Sequence, residues 1–364
     1  MTKDLLFVMY GDDPKHMVQK ILNQLNIAKD IPNKDSLIGI KPNLVVAKPA
    51  ELGATTSPEL VEGVIEYLKS NGYDNIIILE GSWVGDKTSL AYKVCGYEKL
   101  SQKYNIPLVD LQKDGYRDYQ VEGVTLSVCN RAMDVDYLIN MPVLKGHCQT
   151  NITCALKNLK GCIPNKEKRR FHTMGLHKPI AYLNRILKQD LIVVDGIIGD
   201  LNFEEGGNPV QMNRVIVGKD PVLIDSYVAQ LLGYGVEEIP YIEIAEDIGV
   251  GSSRLLDSNI KELNKDTSPM TITKTRLVEE LASYVEEDMA CSACYGSLIH
   301  ALDRLKDRGY LDSIDEKIHI GQGYKNKEGD GLGIGICTKG FERSLSGCPP
   351  KAKDIVDFLK EYYL

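Results

Sequence analysis

Up to about residue 250, short runs of apolar, β-branched residues alternate along the chain with longer segments of helical periodicity. The runs are typical of buried strands, and the longer segments carry apolar residues at three- and four-residue spacing, which is typical of helices. The predicted strands are residues 5–10, 37–40, 76–79, 137–139, 191–194 and 215–217. The predicted helices are residues 18–25, 59–68, 90–100, 180–187 and 222–232. This alternation predicts an α/β fold with a largely parallel sheet flanked by helices, whose ligands bind beyond the carboxyl ends of the strands.

The pattern fades between residues 251 and 274, where Ser, Asp, Asn and Pro give a composition typical of connectors. We place a domain boundary at Ser268, with an α/β domain over residues 1–268 and a small cysteine-bearing module over residues 269–364. A chain of 364 residues is long enough for two domains at about 150 residues each.

Charge and composition exclude several classes of protein. Lys and Arg total 43 against 51 Asp and Glu, so the net charge is −8, which argues against a protein that coats nucleic acid. We see no secretory signal and no apolar run long enough to span a membrane. Nine cysteines, an odd count in a chain without an export signal, favour metal binding or reactive thiols over disulfides. The expected location is therefore the cytoplasm.

Four cysteines lie in the predicted C-terminal module, at Cys291, Cys294, Cys337 and Cys348. Four thiolates in one small module favour a 4Fe-4S cluster, with structural zinc and unligated thiols as the alternatives. The spacing is neither that of a bacterial ferredoxin nor that of a zinc ribbon. The segment Gly347-Cys348-Pro349-Pro350 is similar to a cluster-ligand segment of hydrogenase small subunits and related quinone-reductase subunits. Glycines every second residue from Gly329 to Gly335 predict either a flexible turn or close approach of backbone amides to sulfur.

Polar residues follow the predicted strands, at the edge where a parallel sheet binds ligands. Many of them are also common in turns and caps, so a structural role is the alternative. Residues 157–178 contain seven Lys or Arg against one Glu, and this local reversal of charge favours an anionic ligand over a plain surface. The residues predicted to bind it are Lys41, Asn43, Thr55, Thr56, Glu80, Lys157 and Asn158.

Candidate catalytic residues lie in the same part of the chain. The imidazoles of His147 and His172 can act as acid or base near neutral pH, and Asp195 follows a predicted strand. We expect a common pocket to contain Lys41, Lys145, His147 and Lys157. The predicted catalytic set is Lys145, His147, His172 and Asp195. The spacings of Cys148, Cys154 and Cys162 match no ligand pattern, which predicts buried structural thiols.

An ordered series of motifs over residues 1–260 resembles the domain of unknown function 362 family. The resemblance implies an association with iron-sulfur chemistry, because members of that family commonly carry ferredoxin-like cluster modules, but it implies no particular reaction. The tail departs from the usual ferredoxin run of cysteines. The motifs are Lys41-Pro42-Asn43-Leu44, Ala54-Thr55-Thr56, Glu80-Gly81, Asn140-Met141-Pro142-Val143-Leu144-Lys145-Gly146-His147, Thr153, Leu156-Lys157-Asn158-Leu159-Lys160-Gly161, Val194-Asp195-Gly196 and Gly218-Lys219-Asp220-Pro221.

Three functions are consistent with these residues. The first is a cytoplasmic oxidoreductase or electron-transfer protein that binds a 4Fe-4S cluster, acts on a small anionic ligand and exchanges electrons with a redox partner protein. For this function we expect the cysteine tail to dock against the edge formed by residues 145–177. The second is a binding or assembly module with a structural metal site. The third is a cluster-assisted isomerase or hydro-lyase, which would require an open iron site.

Overall fold

The computed structural model describes residues 2–266 and 277–363. The chain divides into a first unit, Met1–Lys168 with His177–Lys274, and a second unit, Arg169–Leu176 with Thr275–Leu364. The boundary predicted at Ser268 lies outside the described residues. The short segment Arg169–Leu176, which we had predicted to belong to the α/β domain, groups with the second unit.

The strands of the first unit form an eight-stranded sheet and two hairpins. In chain order they are β1 (Leu6–Tyr10), β2 (Ile38–Pro42), β3 (Ile76–Glu80), β4 (Leu108–Asp110), β5 (Tyr116–Val121), β6 (Val124–Cys129), β7 (Tyr137–Met141), β8 (Lys145–His147), β9 (Asn151–Thr153), β10 (Leu191–Asp200), β11 (Pro209–Gly218) and β12 (Ile260–Glu262).

The helices that accompany these strands include α7, which continues from the first unit into the second. They are α1 (Pro14–Leu25), α2 (Pro58–Ser70), α3 (Thr88–Val94), α4 (Tyr97–Tyr104), α5 (Asn130–Met133), α6 (Ala155–Asn158), α7 (Asn165–Thr173), α8 (His177–Ile186), α9 (Pro221–Leu231) and α10 (Pro240–Asp247).

The large sheet has the order β12-β1-β11-β10-β7-β2-β3-β4. Its neighbours are parallel except that β11 runs antiparallel to both β1 and β10. Buried aliphatic side chains from both faces of the central strands form the core, as expected for strands covered by helices. The predicted α/β fold with a largely parallel sheet is therefore confirmed.

Helix ends in the first unit follow local sequence signals. Ser57 caps α2 by accepting a hydrogen bond from Leu60 N, and Pro58 occupies the first turn, where its missing N–H has no consequence. The single helix predicted over residues 90–100 is wrong: α3 and α4 are separated at Gly96, which has a φ of 81°. A glycine adopts this left-handed conformation without strain, so it ends one helix and redirects the chain into the next.

The second unit contains a four-stranded sheet with the order β13-β14-β15-β16, and all its neighbours are parallel. Helices α12 and α13 supply buried aliphatic side chains to its core. The elements are α11 (Leu277–Ala282), β13 (Val285–Glu287), α12 (Ser292–Asp307), β14 (Ile318–Ile320), β15 (Gly329–Ile334), β16 (Phe341–Leu345) and α13 (Ala352–Tyr363).

Three of the alternating glycines, Gly329, Gly331 and Gly333, belong to β15, and Gly335 directly follows it, so the alternative of a flexible turn is wrong for the first three. Glycine at every second position leaves Leu332 and Ile334 on one face, where both are buried. This period of two is the period of a strand. Glycine weakens strand propensity but permits close packing, and at Gly333 a methyl group would overlap the side chain of Thr338.

Candidate functional site

Lys41, Asn43 and Glu80 lie at the carboxyl ends of β2 and β3. We call the carboxyl ends of β2, β3, β7 and β10, with the polar side chains around them, the polar edge. Lys41 of β2 lies beside Asn140 of β7, and Glu80 ends β3. Adjacent parallel strands bring these side chains together, as the sequence pattern had implied.

Lys41 and Glu80 form a buried ion pair. The Lys41 Nζ lies 2.8 Å from Glu80 Oε2, and the two side chains are 1% and 3% exposed. Glu80 also accepts hydrogen bonds from the backbone N–H groups of Leu44 and Gly81, at 2.9 and 2.7 Å. Gly161 lies against the pair, where a methyl group would overlap Glu80 Oε1. Both charges are therefore compensated inside the protein.

Lys145 links three segments of the first unit. Its Nζ donates to the carbonyl oxygens of Ala54 and Glu204, at 2.5 and 2.7 Å, and to Asn43 Oδ1 at 3.5 Å. Complete burial lowers the pKa of Lys145 to about 7, with the Glu204 carboxylate acting in the opposite direction. Three acceptors match the three N–H groups of an ammonium ion, so we assign Lys145 a positioning role in its charged form.

The other residues predicted to bind a ligand contact the protein itself. Thr55 Oγ1 donates to Lys48 O, while Thr56 Oγ1 donates to Met141 O and accepts from Asn43 N, all at 2.7–2.8 Å. Asn158 Nδ2 donates to the side chain of Asn140 at 2.7 Å. These contacts fix the loops of the polar edge.

Asp195 lies on β10, beside the start of α2. Its carboxylate accepts from Ser57 N at 2.7 Å and from Ile197 N at 3.1 Å. Burial raises the pKa of Asp195 to about 6, while the two backbone hydrogen bonds act to lower it. Both oxygens thus have backbone partners, and the carboxylate stabilises the N-terminus of α2.

His147 faces Glu204, which was not among the predicted site residues. The His147 Nε2 lies 3.4 Å from Glu204 Oε1, and both side chains are buried. The other ring nitrogen, Nδ1, accepts from Gln149 N at 3.0 Å. An accepting Nδ1 requires the ring proton to lie on Nε2, the nitrogen nearer Glu204, but Glu204 Oε1 accepts no hydrogen bond within the described part of the chain.

Lys157 is buried near this pair, with 8% of the residue exposed. Its Nζ donates to Thr153 Oγ1 at 3.3 Å. Burial lowers the pKa of Lys157 well below its ordinary value, with a further contribution from Lys160. Lys157 therefore differs from Lys41 and Lys145, whose ammonium groups have short contacts to charged or carbonyl oxygens.

Sequence reasoning also missed two buried ionisable residues. Lys168 Nζ donates to the carbonyl oxygens of Gly81 and Ser82, at 2.9 and 2.7 Å, so part of the basic segment is internal. Asp225 accepts from Ala155 N and Leu156 N, at 2.7 and 3.2 Å, and burial raises its pKa to about 7. The available signal was a single acidic residue within the otherwise apolar α9.

His172 lies in the second unit, whereas the other predicted catalytic residues lie in the first. Its Nε2 is 3.4 Å from Ser292 N and 3.5 Å from Ser292 Oγ. Ser292 directly follows Cys291 in the chain. His172 is therefore associated with the cysteine module.

The four predicted cysteine ligands line one cavity of about 110 Å³ in the second unit, which we call the cysteine cavity. Cys291, Cys337 and Cys348 come three or four residues after the ends of β13, β15 and β16. Cys294 lies in the first turn of α12. The cavity is thus at the carboxyl edge of a parallel sheet, the usual ligand position in such sheets.

Cations and backbone groups complete the cysteine cavity, whose lining includes Arg169, Gln322 and Lys325. Burial raises the pKa of the Cys294 thiol, the neighbouring thiols raise it further, and Arg169 acts to lower it. Burial also raises the pKa of Cys337, with Lys325 acting in the opposite direction. Thiolate ligands placed here would therefore have compensating positive charge nearby.

The cysteine cavity is larger than the space that one small ion or water molecule needs. One water-sized sphere needs only about 10–15 Å³, far less than the cysteine cavity. Among the described residues, no three His, Cys, Asp or Glu side chains are close enough together to hold one metal ion. Soft thiolates arranged around a larger volume suit iron-sulfur ligation.

The five cysteines of the first unit are all buried and form no disulfide, which confirms the predicted burial of Cys148, Cys154 and Cys162. The cysteines of the second unit are more accessible, and Cys348 is exposed. No helix within residues 2–266 or 277–363 has both the length and the apolar character needed to cross a bilayer.

Comparison with known proteins places the first unit in a family. The thylakoid-associated protein sll1697 of Synechocystis sp. (strain ATCC 27184 / PCC 6803 / Kazusa) is 26% identical over 218 residues, which are 58% of this chain and 67% of that protein. The lactate racemase apoprotein from Thermoanaerobacterium thermosaccharolyticum aligns with a TM-score of 0.38 and 12% identity, over 54% of this chain and about half (52%) of its own. This partial structural likeness carries no argument about function. Residues 15–230 match the family described as domain of unknown function (DUF362), and since they are more than half of the chain, the protein belongs to that family.

Proposed function

We propose that the cysteine cavity binds one 4Fe-4S cluster and that the protein is an oxidoreductase or electron-transfer protein acting on a small anionic ligand. The observation that carries the proposal is the presence of four cysteines from three strand ends and one helix around a single cavity. Such a cluster supplies one-electron transfer when it is bound. The residues that would hold it are Cys291, Cys294, Cys337 and Cys348.

The surroundings of the cavity support exchange of electrons with a partner protein. Met289 and Ile336 are each within two residues of a cysteine ligand, and 44% and 52% of these residues are exposed. Large apolar side chains exposed beside a redox centre provide contact area for a partner. Arg169 and Lys325 add positive charge, which favours an acidic partner.

A cytoplasmic location is part of the same proposal. All nine cysteines lie among the described residues, and none of them forms a disulfide bond there. Reduced thiols persist in compartments kept reducing by glutathione and thioredoxin.

The test is anaerobic purification followed by iron and sulfide analysis and EPR of the reduced protein. We expect about four iron and four sulfide per chain, together with a signal that appears on reduction. The Cys337→Ser variant should lose most of this iron, whereas the Cys95→Ser variant, which changes a buried thiol of the first unit, should keep it. Stoichiometric zinc without sulfide would contradict the proposal.

A further inference from the structure

Most cations of the polar edge already have partners within the protein, and Lys157 is the exception. Lys41 pairs with a carboxylate, and Lys145 and Lys168 each donate to two carbonyl oxygens at 2.9 Å or less. Lys157 donates to one neutral hydroxyl, at the longer distance of 3.3 Å. Within residues 2–266 and 277–363, no carboxylate forms an ion pair with it. A buried ammonium in this position is incompletely compensated.

The charges around Lys157 increase the need for an anion. The positive charges of Lys160 and Lys145 lower the pKa of Lys157. Among its strongest electrostatic neighbours that are ionised at neutral pH, only Glu204 raises that pKa. Among these strongest neighbours of Lys157, two lysines therefore oppose one carboxylate. A small anion entering this site would gain the attraction of Lys157 in surroundings that screen charge weakly.

Glu204 can accept a hydrogen bond from a ligand, as Lys157 can donate one. Its Oε1 is buried and has no hydrogen-bond donor among the described residues, although His147 Nε2 is 3.4 Å away. Its other oxygen, Oε2, accepts from Cys148 N at the long distance of 3.4 Å. A buried carboxylate oxygen without a donor is costly, so a ligand that brings a hydroxyl group would relieve that cost.

A third unsatisfied group lies within electrostatic range of Lys157. His177 Nδ1 is buried without a hydrogen-bond partner in the described chain, and its ring stacks on Tyr241 with a centroid distance of 6.0 Å. Burial lowers the pKa of His177, and Lys157 lowers it further. Because a neutral imidazole attracts an anion only weakly, Lys157 is the group that selects an anionic ligand.

We propose that Lys157 and Glu204 bind a small carboxylate that carries a hydroxyl group. The Lys157 ammonium donates to the ligand carboxylate, and the ligand hydroxyl donates to Glu204 Oε1. This inference rests on the proposed function, since it names the class of its anionic ligand. It reassigns ligand recognition from Lys41 and Lys145, which act in positioning, to Lys157 and Glu204.

The experiment is isothermal titration calorimetry of the full-length protein with glycolate and with acetate, which lacks the hydroxyl group. A hydrogen bond to a charged acceptor should make glycolate bind about tenfold more tightly than acetate. Lys157→Met should weaken both anions at least about tenfold, since it removes the charge while keeping a similar chain length. Lys166→Met is the matched control, because Lys166 is an exposed cation of the same basic segment. It should bind both anions as the unmodified protein does.

The Glu204→Gln variant tests the second contact separately. It should reduce the preference for glycolate over acetate to about twofold or less, while acetate affinity stays the same or improves, since a negative charge has been removed. Circular dichroism establishes that each variant is folded. Unchanged glycolate affinity in Lys157→Met, or no binding of either anion by the unmodified protein, would overturn the inference. Iron and sulfide content, measured on the same samples, reports separately on the cluster, so either proposal can fail alone.

Discussion

The polar edge and the cysteine cavity both lie at the carboxyl ends of parallel strands, but in sheets of different units. In the first, most polar side chains bond to one another or to the backbone, as the buried Lys41 and Glu80 pair illustrates. In the second, four thiols surround a cavity of about 110 Å³. The same topological position therefore holds internal cross-links in one sheet and a cysteine-lined cavity in the other.

The difference teaches how to separate structural from functional polar residues. Most members of the polar edge have short contacts to oxygen or nitrogen atoms of the protein, and such groups have little capacity left for a ligand. Lys157 and Glu204 retain more of that capacity. Unused bonding capacity in a buried group identifies a candidate site better than its type or its place after a strand.

The largest expected difference between the two regions is in thiol reactivity. In protein freed of metal by a chelator, we expect iodoacetamide to modify Cys348 and Cys337 rapidly, because both are accessible. The five buried cysteines of the first unit should react only through unfolding, which costs about 5–15 kcal/mol and lowers their rates by orders of magnitude. Mass spectrometry of peptides over time measures both rates. Equal rates of modification at Cys162 and Cys348 would contradict the expected difference between the two units.

Breaking the buried ion pair should produce the largest change in stability. Lys41→Met leaves Glu80 without its cation in a buried site, and we expect the free energy of unfolding to fall by about 3–5 kcal/mol. The exposed pair of Lys69 and Asp74, with N···O at 3.0 Å, provides the control. There Lys69→Met should change stability by less than about 1 kcal/mol. Urea denaturation measures both; a loss at Lys41 no larger than at Lys69 would show that the pair is not structural.

Lys157→Met should raise the free energy of unfolding, whereas Lys41→Met lowers it. In the absence of a ligand, replacing an incompletely compensated buried ammonium with an apolar chain of similar length should stabilise the protein by about 1–2 kcal/mol at pH 7. The folded-state pKa of Lys157 is depressed, so its charge costs stability below that pKa. The cost disappears as the pH rises toward the unfolded value of about 10.4.

Urea denaturation at several pH values tests this dependence. The stability difference between Lys157→Met and the unmodified protein should shrink steadily between neutral pH and pH ~10. A difference that stays constant with pH, or a variant less stable than the unmodified protein at pH 7, would mean that Lys157 has a compensating partner.

The smallest effect is expected at the exposed rim of the cysteine cavity. Ile336 is 52% exposed, so Ile336→Ser should change the free energy of unfolding by less than about 0.5 kcal/mol. If the rim contacts a redox partner, the same variant should slow reduction by an acidic electron carrier while direct chemical reduction stays unchanged. Stopped-flow absorbance compares the two reductants. Equal slowing with both would place the effect at the cluster instead of the rim.

Much of the fold could be predicted because its signals are local. Residues 76–79 are a continuous aliphatic run, and Ser57-Pro58 is a helix start; both features appear in the structure as β3 and the capped α2. The sheet of the second unit was not predicted. Its strands β13 and β14 are three residues long, and glycine in β15 has little strand propensity, so their pairing depends on contacts across the sheet.

By itself the sequence determined which side chains are chemically capable, such as Lys41, Lys157 and the four C-terminal cysteines. Only the tertiary structure decided how their bonding capacity is used. Lys41 and Lys157 look alike in sequence, since each is a lysine next to asparagine or proline near a sheet edge. Lys41 pairs with Glu80, 39 residues away on another strand, whereas Lys157 donates to the neutral hydroxyl of Thr153, four residues away. The free energy of a buried charge depends on partners brought from distant parts of the chain, and those partners exist only once the chain has folded.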